Sequence, residues 1–210
     1  GTYDVSVVVC DTGNKLTFAE GSEPAAFTEA KAKFIREAAS RLVEEGAYLQ
    51  AADGEGVVGV FGFPAPDPDH MQKAARVVLD MIKNSREQDD DKQKPGASRD
   101  IRAGISSGAI IAGAVQESRP LLFASGEPIE LARRFCALNR FYGSRALMDT
   151  STFELLFDDL ARTMTTWPIN VDVSFRVSTW QLLDRRFPQR VVAVADRYSL
   201  ERDRFVFEID

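Results

Sequence analysis

The sequence predicts an α+β protein in which helices pack on a largely antiparallel sheet. The first observation is the run "YDVSVVVC" (Tyr3–Cys10), which is almost continuously apolar and rich in β-branched residues, as is typical of a strand buried on both faces. The second is a pair of segments with helical apolar periodicity on either side of a hairpin. The third is the predicted element order, β-α-β-β-α-β-β-α-β-α-β. We therefore expect the helices to cover one face of the sheet.

The first helix is predicted from about Pro24 to Glu45. Proline suits the first turn of a helix, and Gly46 is a typical residue just past the end of one. The apolar side chains recur at helical spacing, at Phe27, Ala30, Phe34, Ala38 and Leu42.

A hairpin and a second helix follow. The stretch "AADGEGVVGVFGFP" (Ala51–Pro64) has the pattern of strand, tight glycine turn and strand, with Asp53 and Glu55 at the tip. The next segment, "DPDHMQKAARVVLDMIKNSRE", has the clearest amphipathic pattern in the chain. The charged stretch "QDDDKQKPGASR" (Gln88–Arg99) is predicted to be a solvated loop.

The second half of the chain predicts more strands and two further helices. "IRAGISSGAIIAGAV" (Ile101–Val115) has the pattern of two strands, and a helix begins near Pro128. "SRALMDTSTFELL" predicts a short strand and a helix that starts at the aspartate and threonine. The tail "RRFPQRVVAVADRYSLERDRFVFEI", residues 185–209, is predicted to be two strands about a charged turn.

Composition excludes several classes of protein. A net charge of −6 over 210 residues argues against a surface for nucleic acid or anionic membrane. No apolar run approaches the ~20 residues of a membrane helix, and no signal peptide precedes the first strand. Cys10 and Cys136 lie in apolar segments, so we expect buried free thiols and a cytoplasmic location, alone or as the cytosolic part of a larger protein. His70 is the only histidine, which leaves little for a Ser–His–Asp triad or a multi-histidine metal centre.

Three segments together resemble the catalytic domain of class III nucleotide cyclases, the adenylate and guanylate cyclases, over about residues 3–183. They are "VSVVVCDTGNKLT", "GEGVVGVFGFPAPDPDHMQKAARVVLDM" and "IRAGISSGAIIAGAV" with "GEPIELARRF". The resemblance implies a ferredoxin-like βαββαβ core over residues 1–183. The family core does not account for residues 184–210, and the pattern of this tail predicts a C-terminal β-hairpin extension. The resemblance also implies a head-to-tail homodimer with nucleotide sites between the two chains, and Mg²⁺ or Mn²⁺ as cofactor.

The resemblance implies a metal site built from Asp11, the Thr12 carbonyl and Glu55. Thr12, Gly13 and Asn14 begin the loop whose N–H groups would hold the triphosphate, and this loop is one residue longer than in the family pattern. At the second metal position Glu55 is one methylene longer than the usual aspartate. Asp53 would replace it only if the hairpin turned differently. The alternative is that Asp11 caps a turn and the hairpin carboxylates are merely solvated.

The resemblance also implies a transition-state pair on the helix that contains "ELARR", Glu130 to Arg134. Side chains four residues apart face the same way on a helix. Arg134 is retained, whereas Glu130 replaces an asparagine that orients the ribose. A carboxylate that lies within ~4 Å of a triphosphate charge, at an effective dielectric near 20, costs ~4 kcal/mol. This cost corresponds to roughly three decades in rate. Glu130 could instead pair with Arg133 or Arg134, and Arg134 could be a plain surface residue.

The base-selecting positions fall on Ala51 and Phe123, and neither side chain can hydrogen-bond a purine edge. The phosphate-binding lysine of the family pattern falls near Val171, with no lysine close by. Two function classes compete: an active divergent cyclase, and a degenerate cyclase-homology domain that acts in signalling by dimerising or by binding a nucleotide or a partner. The losses at these positions favour the second. A ferredoxin-like interaction module with chance similarity is the third alternative.

Overall fold

The computed structural model of the chain consists of two compact units, Gly1–Thr152 and Phe153–Asp210. The structure describes residues 1–12, 24–90, 101–114, 122–149, 152–153, 157–158, 161–162, 165, 173–177, 183–202 and 205–209. The elements of the first unit are β1 (Thr2–Thr12), α1 (Pro24–Glu44), β2 (Tyr48–Asp53), β3 (Gly56–Phe61), α2 (His70–Asp90), β4 (Ile101–Ala114), β5 (Leu122–Ser125), α3 (Glu127–Tyr142) and β6 (Ala146–Met148).

The sheet of the first unit has the strand order β2-β3-β1-β4-β5. β1 pairs antiparallel with both β3 and β4, and β2 pairs antiparallel with β3. β6 pairs with the N-terminal half of β4. This pair is the one parallel pair among the described strands of this sheet. The first six elements form a βαββαβ core of ferredoxin-like topology. The predicted α+β fold with a mostly antiparallel sheet is confirmed.

Helices lie on both faces of the sheet, so the prediction that they would cover one face is wrong. Val5, Val7 and Val9 of β1 share one buried cluster with Ile129 and other residues of α3. Ser6, between two of these valines, points to the opposite face and hydrogen-bonds the start of α2. Successive side chains of a strand alternate between its faces, which accounts for the continuous apolar pattern of β1.

β4 is one strand of 14 residues, whereas the sequence predicted two. Its small residues permit close packing rather than a chain reversal. A Cβ added at Gly104 would lie 2.0 Å from the Ala132 carbonyl oxygen and 2.5 Å from the Cys136 amide nitrogen. The backbone of α3 therefore rests directly on β4, which fixes the helix that contains Glu130 and Arg134.

The second unit corrects the prediction of a C-terminal β-hairpin. Residues Arg186–Arg197 form a helix, α4, and the strands β7 (Val173–Val177) and β8 (Phe205–Ile209) pair in parallel. The short run "RVVAVA" is compatible with a strand or with a buried helix. In the helix that forms, Phe187 and Ala195 are buried, and Val191 and Val194 pack against the core of this unit. The boundary at residue 183 stays a prediction.

The structure also bears on the two cysteines and on membrane-spanning helices. Cys10 and Cys136 are buried and not joined in a disulfide, as predicted, and burial raises the pKa of the Cys10 thiol well above its usual range. In the described part of the chain, no helix combines the length and apolar character of a membrane span.

Candidate functional site

Asp11 and Glu55 come from neighbouring strand ends. Asp11 is half-buried near the end of β1, and its Oδ1 accepts the Thr12 N–H at 2.7 Å. A Cβ added at Gly56, the first residue of β3, would lie 3.5 Å from the Asp11 Cβ and 2.3 Å from the Cys10 carbonyl oxygen. Gly56 has a φ of +131°, a conformation that favours glycine. Glu55 directly precedes this close contact, so the fold brings both predicted carboxylates to one edge of the sheet.

At the hairpin tip, Asp53 and Glu55 have different surroundings. Asp53 pairs with Gly56 across the hairpin, and its Oδ1 accepts the Glu55 N–H at 2.7 Å. The Gly54 carbonyl accepts a hydrogen bond from Lys31 of α1, which fastens the turn to that helix. Asp53 is thus a turn-forming residue. Glu55 is exposed at the position that the resemblance gives to the second metal ligand.

The carboxylates fit a divalent ion that arrives with its own oxygen ligands. Within the described ranges, no group of three or more histidine, cysteine, aspartate or glutamate side chains is placed to hold a metal ion. Mg²⁺ is commonly bound by one or two carboxylates together with substrate phosphates and water. Asp11 and Glu55 carry donors of this hard-oxygen type.

Glu130, Arg133 and Arg134 are all exposed on α3. The opposite side of this helix is buried in the core through Ile129, Ala132 and Cys136. Among the described residues, none of these three charged side chains makes an ion pair. The alternative in which Glu130 pairs with one of the two arginines is therefore not observed. Arg134 therefore presents its guanidinium to the solvent, with a carboxylate one turn away on the same face.

The exposed face of α3 continues from this charged pair into apolar side chains. Leu138, Phe141 and Tyr142 follow Arg134 at helical spacing and have exposed fractions of 36%, 83% and 42%. We call Glu130, Arg134, Leu138 and Phe141 the α3 stripe. Neighbouring exposed apolar side chains, rather than single ones, are what marks an interaction surface.

The fold brings the two predicted base-selecting positions close together. Gln50, next to Ala51, donates a hydrogen bond from Nε2 to the Ala124 carbonyl oxygen at 3.2 Å, and Ala124 is next to Phe123. Ala51 packs against the core, whereas Phe123 is 46% exposed. Neither side chain offers a polar group to a purine.

Gln50 is a polar residue at this position that the sequence comparison missed. Its Oε1 is buried and has no hydrogen-bond partner in the described part of the chain. The register of β2 against β3 shifts between Leu49 and Ala51, so Gln50 lies at an irregularity of the strand. The signal in the sequence was an amide directly before the aligned position. Gly13, Asn14 and Val171 lie outside the described residues, so their predicted roles are not tested.

Comparison with known proteins identifies the fold. The chain is 27% identical over 133 residues to proteins named adenylate cyclase from Mycobacterium bovis and Mycobacterium tuberculosis, which covers 63% of this chain and 29% of each relative. The chain thus matches less than a third of the length of these curated relatives. No protein-family model matches the chain.

Solved structures of cyclase domains superpose on about three quarters of the chain. The guanylate cyclase domain of RhGC from Catenaria anguillulae, in complex with GTP, has a TM-score of 0.58 at 21% identity and covers 74% of this chain and 84% of its own. The adenylyl cyclase CyaB from P. aeruginosa has a TM-score of 0.61 at 21% identity, with 75% and 82% covered. A guanylyl cyclase domain of the RhoGC fusion protein from Blastocladiella emersonii, described as a non-canonical dimer, has a TM-score of 0.59 at 20% identity, with 74% and 85% covered.

These matches confirm the predicted resemblance at the level of the fold. The chain has the fold of the class III adenylyl and guanylyl cyclase catalytic domains.

Proposed function

We propose that the chain is a degenerate cyclase-homology domain that binds a purine nucleoside triphosphate with Mg²⁺ or Mn²⁺ and does not cyclise it efficiently. The observation that carries this proposal is the exposed pair on α3, in which Glu130 stands one turn from Arg134. Cyclisation requires a cation that stabilises charge developing on the phosphoryl group. A carboxylate beside that cation repels the same charge.

The carboxylate half of the site supports nucleotide binding. Asp11 and Glu55 lie at adjoining strand ends, and both oxygen donors suit a metal ion that is carried by phosphates. Because fold and function can diverge, retention of these two residues is evidence for a binding site and is not evidence for turnover.

We further propose that two copies of the chain pair head to tail, so that Asp11 and Glu55 of one copy face the α3 stripe of the other. In a single chain, Phe141 is 83% exposed beside the charged pair of α3. Aromatic residues of this kind typically anchor the centre of a protein interface. Covering this face would exclude water from Glu130 and Arg134, which strengthens every charge interaction between them and a nucleotide.

An active, divergent cyclase is the second candidate. It is favoured by the retention of Arg134 with an exposed guanidinium and of Asp11 and Glu55 at one edge of the sheet. In that case ATP or GTP would be converted to the cyclic nucleotide and pyrophosphate. A retained cation with no ion-pair partner among the described residues could still act if the repulsion from Glu130 were screened by solvent.

Cyclic nucleotide production from ATP and from GTP, with Mn²⁺ or Mg²⁺, separates the two candidates. The assay should run at protein concentrations where sedimentation shows a dimer, and with Arg134→Ala and Arg133→Ala variants. Arg133 is a matched control because it is an exposed arginine of the same helix, one position away.

The degenerate-domain proposal predicts saturable nucleotide binding and no product from any of the three proteins. Product that disappears in Arg134→Ala and persists in Arg133→Ala would establish the active cyclase instead. Absence of nucleotide binding to the wild-type dimer would reject both candidates.

A further inference from the structure

Arg102 lies directly opposite Asp11 in the sheet of the first unit. The two residues are cross-strand partners in the antiparallel pairing of β1 with β4, one position from the end at which Thr12 pairs with Ile101. Directly opposed residues project their side chains from the same face of a sheet, with Cβ atoms about 4.5–5.5 Å apart. The long arginine side chain therefore starts within reach of the candidate metal-binding carboxylate.

Both side chains belong to the face of the sheet on which α3 packs. Val9 of β1 lies in the core cluster that includes residues of α3, and Asp11 follows Val9 by two positions. On β4, Gly104 lies against the backbone of α3, and Arg102 precedes Gly104 by two positions. Because side chains alternate along a strand, the carboxylate and the guanidinium share this face.

The guanidinium of Arg102 is partly withdrawn from water. Its Nε and Nη1 atoms are buried, and the residue as a whole is half-buried. Arginine keeps its charge in proteins, and a buried charge is costly unless a counter-charge or hydrogen bonds compensate it. Asp11, which is also half-buried, is the carboxylate that the strand pairing brings to Arg102.

The acidic residue of the α3 stripe lies farther along β4. At its N-terminal end α3 faces Gly108, and later in the helix the Cys136 Sγ donates a hydrogen bond to the Arg102 carbonyl oxygen at 3.5 Å. Glu130 precedes Cys136 by nearly two turns, or about 9 Å along the helix axis, and is exposed. Asp11 is therefore better placed than Glu130 to compensate the guanidinium.

We propose that Arg102 is the counter-charge of Asp11, so that it holds this carboxylate in position and lowers the affinity of the site for a free divalent cation. The inference deepens the proposed function and rests on it for the metal site. Asp11 and Glu55 bring two negative charges to the site, and Arg102 offsets one of them. Arg102 is thus a positioning residue.

The counter-charge also determines the form in which a metal ion is taken up. A positive charge close to the site repels a free divalent ion. The same guanidinium attracts phosphate oxygens, with which arginine forms strong charge-assisted hydrogen bonds. The site therefore favours a metal ion that is already bound to a triphosphate over the free ion.

A double-mutant cycle in metal-free buffer tests the pair in the absence of any ligand. Urea unfolding is measured for the wild type, Asp11→Asn, Arg102→Gln and the double variant. Each single change leaves one charge without its partner, so the shift in midpoint of the double variant should be smaller than the sum of the two single shifts. An additive result would overturn the proposal.

Arg145→Gln provides the matched control for this cycle. Arg145 is a half-buried arginine directly before β6, and its guanidinium donates a hydrogen bond to the Ser85 hydroxyl at 3.1 Å. Its substitution should shift the unfolding midpoint by the same amount with and without Asp11→Asn. Equal coupling of Asp11 to both arginines would overturn the specific pairing.

Binding of free Mn²⁺, followed by the electron paramagnetic resonance signal of the unbound ion, tests the effect on the site. Arg102→Gln should bind the ion about fivefold more tightly, the gain expected from removing a unit charge ~8 Å from a divalent ion in water. Arg102→Lys keeps the charge and should bind the ion as the wild type does, and so should Arg145→Gln. The affinity of Arg102→Gln for Mn²⁺–ATP should not rise.

The two measurements separate this inference from the proposed function. An affinity for free Mn²⁺ that Arg102→Gln leaves unchanged or weakens would overturn the counter-charge role. Coupling in the cycle, with no Mn²⁺ bound by any of the proteins, would support the pair of Asp11 with Arg102 and reject the proposed metal site.

Discussion

At the scale of single residues, Glu130 is the substitution with the largest expected effect on the candidate site. At an effective dielectric near 20, a carboxylate ~4 Å from a phosphate charge costs ~4 kcal/mol. The structure shows Glu130 exposed, so in an open chain the repulsion at ~4 Å is closer to 1 kcal/mol, the value in water. The full cost applies only where a partner excludes solvent.

We predict that Glu130→Asn binds Mn²⁺–ATP or Mn²⁺–GTP more tightly, by about fivefold or more. Removing about 1 kcal/mol of repulsion, the value in an open chain, corresponds to about fivefold in Kd, and a dimer that excludes solvent raises the change. Titration calorimetry of the wild type and the variant measures it. Glu127→Gln is the control, since Glu127 is an exposed glutamate in the first turn of the same helix. Equal effects of the two substitutions would mean that net charge, rather than position 130, controls binding.

A second residue-scale prediction concerns Asp149 and pH. Burial would raise the pKa of this carboxyl, but hydrogen bonds from the Thr152 and Ser107 N–H groups outweigh burial. Its pKa is lowered in the folded chain, so its contribution to stability is fully present above the usual aspartate pKa and is lost as the pH falls from there through the lowered pKa. Urea unfolding of wild type and Asp149→Asn should therefore show a stability difference at pH 7 that shrinks toward pH 3. A difference that is unchanged across this range would show that Asp149 acts through packing alone.

At the scale of elements, the contact between α3 and β4 fixes the position of Arg134. We predict that Gly104→Ala destabilises the protein by about 3 kcal/mol, because the added Cβ would lie 2.0 Å from a backbone oxygen of α3. Gly54→Ala is the control, since an added Cβ there meets nothing within 4 Å. Thermal or urea unfolding measures both. Equal stability of the two variants would contradict the close packing of α3.

The type of each element, helix or strand, was predicted correctly where its hydrophobic pattern was long. The prediction failed where that pattern was short or where the backbone was irregular. β1, α1, α2 and the hairpin follow their periodicity. The helix α4 was mistaken for a strand because "RVVAVA" suits either structure until its packing partners are known. The irregularity in β2 beside Gln50 leaves no trace in the local sequence, since it depends on the register with β3.

The candidate site was predictable in part, through the resemblance. Asp11 lies close to Gly56, the residue after Glu55, and Glu130 and Arg134 share an exposed face of α3. The roles that the resemblance gives to these residues stay predictions. The side-chain hydrogen bonds from His70 through Ser6 to Ser107 were not predictable, because they join residues far apart in the chain that have no common motif.

At the scale of the whole molecule, the α3 stripe predicts self-association. Replacing Phe141 by glutamate should weaken the dimer by at least about 2 kcal/mol if this side chain is a central anchor, which is about thirtyfold in Kd. Sedimentation equilibrium measures the change. Leu79→Glu is the control, because Leu79 is 53% exposed but lies on α2. A dimer that is weakened equally by both substitutions would place the interface elsewhere.

The most direct test of the account is a titration of the wild-type dimer with Mn²⁺–ATP and Mn²⁺–GTP, followed by quantification of cyclic nucleotide in the same samples. The account predicts saturable binding of at least one nucleotide and no cyclic product. Cyclic product that depends on Arg134 would contradict the claim that catalysis has been lost, and the absence of binding would contradict the claim that the cyclase fold has kept its nucleotide site.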